Sequence, residues 1–101
     1  MRRLPDHTPI LSDLLREELR TGQIMLDLAT TEHGLKEEQA CAQALHKARA
    51  ALGHVKHSLP GLRLSLPQRM EFTAAIRELQ ARIETFETKL RGELRQRRGQ
   101  A

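Results

Sequence analysis

Three histidines, His46, His54 and His57, have the residue type and spacing best suited to chemistry in this chain. On a helix they fall within an arc of about 80°, and the His54–His57 pair at i,i+3 has the spacing of half a metal site. That face lies about 170° from the apolar Cys41–Leu45–Leu52 stripe of the same segment, whereas a structural metal site is closed and partly buried. With no acid beside the pair, the three are read as solvated and no metal is expected. Cys41, the sole cysteine, sits on the apolar stripe between alanines. A reactive thiol needs exposure and a cationic neighbour, so Cys41 is read as a buried structural residue. One cysteine also excludes an internal disulfide and fits a reducing compartment. The acid pairs Glu17–Glu18 and Glu37–Glu38 are adjacent in sequence and point apart on a helix. No Ser-His-Asp or Cys-His arrangement and no glycine-rich phosphate loop emerges, so neither enzymatic activity nor a cofactor is expected.

Basic residues make the strongest functional feature. From Lys89 to Ala101 there are five bases (Lys89, Arg91, Arg95, Arg97 and Arg98) against one acid, Glu93, for a net +4. The rest of the chain carries twelve bases and twelve acids, so the body is neutral and the tail basic. Arg91, Arg95 and Arg98 lie along one side of a helix, suited to contact with a few phosphates. There is no aromatic interleaving for base stacking and no Asn/Gln pair for base reading. Bases at a helix C-terminus also complement the macrodipole. Nucleic acid or another polyanion is therefore the alternative partner class, not the leading one.

These residues must be positioned by helices. The chain has 101 residues, 30% charged and only 2% aromatic, with Phe72 and Phe86 but no Trp or Tyr. That length fits one domain with a modest core of Leu, Ile, Val, Met and Ala. In the last third, Phe72, Ile76, Leu79, Ile83, Phe86, Leu90 and Leu94 recur at steps of four and three within an arc of about 80°. Glu78–Arg82, Glu87–Arg91 and Glu93–Arg97 have the favourable i,i+4 order, each worth roughly 0.2–0.5 kcal/mol. Ser65 and Gln68 have capping-box spacing, and Pro67 fits the first turn. This predicts a helix over about 66–98.

Upstream, Thr8-Pro9 predicts a helix start with the threonine hydroxyl capping. Leu11, Leu14, Leu15, Met25, Leu26 and Ala29 recur at helical spacing, with Gly22 on the same face. A glycine there costs about 1 kcal/mol relative to alanine, so close approach of a neighbour, or a kink, is expected. His33-Gly34-Leu35 reads as a stop, with Gly34 left-handed and Leu35 folding back. A second helix is expected over 36–57, burying Cys41, Leu45, Ala48, Leu52, Val55 and Leu59. The connection over 58–66 has a Pro60-Gly61 turn, and its leucines (Leu59, Leu62, Leu64, Leu66) are expected to cap the core. Residues 1–8 read as a flexible arm without the apolar region of a signal peptide, and 99–101 as a disordered tail. No run approaches the roughly 18 apolar residues of a membrane span, so a cytoplasmic location is expected.

Ala48, Leu52, Val55 and Pro60 resemble the second helix of a tetratricopeptide repeat and the proline that ends it. The charged-alanine texture of residues 44–52 is similar. The match covers about 20 residues without a second copy, whereas such repeats stack on neighbours. The overall plan is similar to the three-helix microtubule-interacting-and-transport type of bundle, which implies an interaction module.

The sequence thus predicts an all-α, three-helix antiparallel (up-down-up) bundle, with helices over about 9–32, 36–57 and 66–98. The first two, each roughly 33–36 Å, leave the distal part of a third helix of roughly 48 Å overhanging. Phe86, Leu90 and Leu94 are the expected partner-binding residues. The expected function is protein–protein interaction by helix-to-helix packing, with a partner helix or a second copy.

Overall fold

The computed structural model describes residues 7–99, so residues 1–6 of the expected arm and 100–101 of the expected tail lie outside it. Three helices, α1 (Thr8–Gly34), α2 (Glu38–Ser58) and α3 (Leu66–Gly99), form an up-down-up bundle, with a 3-10 turn at Leu59–Gly61. No strand occurs among the described residues. The helix ends are set by local chemistry. At α3, Ser65 N–H donates to Gln68 Oε1 at 3.0 Å and Gln68 N–H to Ser65 Oγ at 3.3 Å, the reciprocal capping box. Thr8 does not cap α1. It lies inside the helix, and its Oγ1 accepts the Arg63 N–H at 3.3 Å, tying the start of α1 to the α2–α3 connection.

The α1 stop also differs from expectation. Helical structure continues through Gly34, and the left-handed residue is Lys36, at φ 62°. Leu35 stays exposed rather than folding back. Three successive backbone bonds close the corner: Leu35 N–H to the Thr31 carbonyl, Lys36 N–H to His33 and Glu37 N–H to Glu32. They satisfy the terminal carbonyls without glycine in the left-handed position.

The core of α1 is Ser12, Leu15, Leu19, Gly22, Leu26 and Ala29. Ser12 satisfies its buried hydroxyl by donating to the Pro9 carbonyl at 3.0 Å. Leu11 and Leu14, expected inside, are exposed, and Leu14 lies about 110° around the helix from the centre of the buried arc. From α2 the core takes Cys41, Ala44, Leu45, Ala48, Ala51, Leu52 and Val55, and from α3 Phe72, Leu79, Ile83 and Phe86. Leu62 is buried and Leu59 and Leu64 pack against the core, but Leu66 is exposed.

At Gly22 α1 lies close against its neighbours, and the helix continues through it unbroken. A Cβ there would stand 2.7 Å from Leu79 Cδ2, 3.4 Å from Ala51 Cβ and 3.7 Å from the Ala48 carbonyl oxygen. Leu79 is fully buried, so its methyl has nowhere to retreat.

The i,i+4 pairs predicted on α3 do not form, because neighbouring helices supply better-placed partners. Arg82 instead reaches Gln23 and Asp27 of α1, and Glu87 pairs with Arg49 of α2. Glu93 meets His33, and Arg97 meets Glu38. Arg16 of α1 adds a bond to Glu71 at 3.3 Å and lies 5.3 Å from the Phe72 ring centroid.

Two glycine substitutions separate packing from propensity. Gly22→Ala is expected to lower stability by about 1 kcal/mol in urea unfolding, because overpacking outweighs helix propensity. Gly53→Ala on exposed α2, where a Cβ meets nothing within 4 Å, is expected to raise it by about 0.5–1 kcal/mol. Equal effects would show that the contact at Gly22 is not tight.

Candidate functional site

The three helices do not end together. The last side-chain contacts of α1 with α3 are made by His33, whose ring meets Phe86 edge-on with centroids 5.9 Å apart. His33 Nε2 lies 2.7 Å from Glu93 Oε2. The first turn of α2 continues further, so that Glu38 Oε1 lies 2.8 Å from Arg97 Nη1. Beyond the end of α1, α2 and α3 therefore run on as a pair, with the side that α1 vacates left open.

That opening is a groove of about 230 Å³. Its floor is apolar, made by Cys41, Ala42 and Leu45 of α2 with Leu90 and Leu94 of α3. The His33–Glu93 and Glu38–Arg97 pairs stand at its rim. An apolar floor beneath fixed charges suits an apolar side chain carried on a polar segment.

The expected partner-binding residues divide across this site. Phe86 is 7% exposed and belongs to the core beneath His33, so it is not part of the open surface. Leu90 packs partly against the core, and Leu94 is 55% exposed. The uncovered stretch is shorter than the helix-length argument gave, because α2 accompanies α3 as far as Arg97. Sequence reasoning missed the α2 side of the groove, Cys41, Ala42 and Leu45. Their apolar spacing marked them only as core.

The electrostatics of the rim follow from its pairing. Arg97 donates to the Glu38 carboxylate and holds it below its ordinary pKa, while Glu38 raises that of Arg97. The attraction is therefore complete above the ordinary carboxylate range and fades as pH falls through the lowered value. At the floor, burial pushes the Cys41 thiol up, and the charge of Glu32 adds to it, so the thiol is protonated at neutral pH.

The other candidates fall elsewhere. His46, His54 and His57 are all exposed, and His54 Nδ1 lies 3.7 Å from Glu18 Oε1. No cluster of three His, Cys, Asp or Glu side chains among the described residues is placed to hold a metal ion. Lys89, Arg91, Arg95, Arg97 and Arg98 are all exposed. Arg97 is engaged by Glu38, and Arg91 Nη2 reaches Thr88 Oγ1 at 3.4 Å. No described helix is long and apolar enough to cross a membrane.

Residues 44–60, which carry the repeat-like texture, form most of α2 and the turn holding Pro60. Comparison with protein families, curated proteins and solved structures finds no match to this chain.

The position of Cys41 has a direct chemical readout. The thiol is expected to react with a bulky aromatic disulfide at pH 8 far more slowly than free cysteine, and promptly once the protein is unfolded in urea. Equal rates would mean that the groove floor is open to reagent.

Proposed function

We propose that this chain is a small interaction module that seats an apolar residue of a partner helix in the groove beside Leu90 and Leu94. The observation that carries the reading is the unequal length of the helices. Because α1 stops at Gly34 while α2 and α3 continue together, an apolar strip stays open where a third helix would otherwise pack. A partner helix laid along that strip would bury Leu94, and its polar residues would face the ion pairs at the rim.

A second reading rests on Lys89, Arg95 and Arg98, none of which makes an ion pair with a described residue although α3 carries them to its exposed end. They would contact phosphates of nucleic acid or another polyanion.

Two measurements distinguish these readings. Leu94→Lys is expected to remove the proteins retained by the wild-type chain on an affinity column, with melting unchanged because Leu94 lies outside the core. Identical retention by both proteins, or unfolding of the variant, would defeat the groove reading. For the second reading, binding to a DNA duplex is expected to weaken steeply between about 50 and 200 mM salt. Replacing Lys89, Arg95 and Arg98 by Gln should reduce the salt slope by about 3. Absence of DNA binding at low salt would remove a duplex as the ligand.

A further inference from the structure

The face of α1 turned away from the bundle carries a pattern that the groove does not use. Ile10, Leu14, Glu17, Thr21, Ile24, Leu28, Thr31 and Leu35 follow one another at alternating steps of four and three. That is the 3.5-residue repeat of a coiled-coil seam. The row lies roughly 160° around the helix from Leu15, Leu19, Gly22 and Leu26. All eight residues are exposed, and Ile10, Leu14, Ile24 and Leu28 retain between 43 and 64% of their accessible surface.

Between Ile10 and Leu28 its polarity is symmetric along the helix. Two apolar residues, Ile10 and Leu14, precede a polar centre of Glu17 and Thr21, and two more, Ile24 and Leu28, follow it. The midpoint is level with Leu19. We infer that this face pairs with the same face of a second copy, antiparallel, about a two-fold axis at that level.

In this arrangement Ile10 meets Leu28 of the second copy, Leu14 meets its Ile24, and Glu17 meets its Thr21. At the flank, Leu11 faces the second copy's Met25. Arg20 stands within about 1.5 Å, along the axis, of the level of the second copy's Glu17. In the single chain Glu17 and Arg20 are both largely exposed, with 3.5 Å between them. They can therefore exchange partners across the two-fold axis, as an isologous interface requires.

Parallel pairing in register also matches apolar with apolar. It sets Glu17 against Glu17, Asp13 beside Glu18 and Asp27 beside Glu32, all like charges. Antiparallel pairing also has like charges at its flanks, with Asp13 beside the second copy's Asp27 and with Glu18 and Arg20 each beside their own counterparts. It sets Glu17 in the seam against Thr21 rather than against Glu17, however, and this layer selects the antiparallel arrangement. The bundle is not disturbed by it, because every residue of the seam itself is exposed. The seam is also independent of the groove, which opens beyond the C-terminal end of α1 and is built from α2 and α3.

The test is the mass of the full chain by light scattering to about 1 mM, with variants at both surfaces. Wild type and Leu94→Lys are expected to dimerise alike, whereas Leu14→Lys with Ile24→Lys is monomeric with unchanged helicity. Glu17→Arg and Arg20→Glu should each weaken the dimer at least several-fold, and together restore it. A spin label at Thr31→Cys in a Cys41→Ala background should report about 36 Å or more between copies, against about 10 Å for a parallel pair. A monomer at every concentration, a short label distance, or a dimer lost with Leu94→Lys but kept in the Leu14 and Ile24 double variant would overturn the inference.

Discussion

The absence of a side chain at Gly22 is the constraint on which the bundle depends. It brings the α1 backbone against Ala48 and Ala51 of α2 and lets Leu79 of α3 fill the space in front of it. Alanines along the same strip of α2 keep the spacing short, and Ala29 and Ala48 are completely buried. Larger side chains then close the core further along, with Phe72 towards one end and Phe86 beneath His33 at the other. The low aromatic content follows from this design, since two close helices leave room for large rings mainly on the third.

Electrostatics add orientation at the perimeter. Arg82 and Glu93 reach off α3 to α1, and Glu87 and Arg97 reach to α2, along the second half of α3. Exposed pairs of this kind contribute little stability individually. They do discriminate between registers, because sliding α3 by one turn would break all four at once.

Much of this was legible in the sequence. The seven-residue stripe of α3, the capping box at Ser65–Gln68 and the role of Gly22 all follow from period and residue size. The errors arose where one segment satisfies two patterns. In α1, apolar residues occur on two faces, and periodicity alone assigned Leu11 and Leu14 to the core when that arc belongs to Leu15, Leu19 and Leu26. The position of the left-handed residue was missed because glycine is the usual occupant, yet the backbone bonds of Lys36 and Glu37 close the corner without it. Of the candidate site, Leu90 and Leu94 were visible as the end of a stripe. The α2 wall was not, because its openness depends on where α1 stops in space, and sequence spacing carries no such information.

The close contact between α1 and α2 also has a kinetic meaning. Their backbones approach each other far more extensively than either approaches α3, and only residues 35–37 join them. A hairpin with so short a connection closes with little loss of chain entropy and can form early. The third helix attaches through longer side chains and across a longer connection. It is therefore the element placed to detach as a unit in transient openings, so its central amides would exchange with solvent hydrogen before those of the hairpin. The same ordering makes α3, which carries one wall of the groove, the most readily displaced part of the bundle.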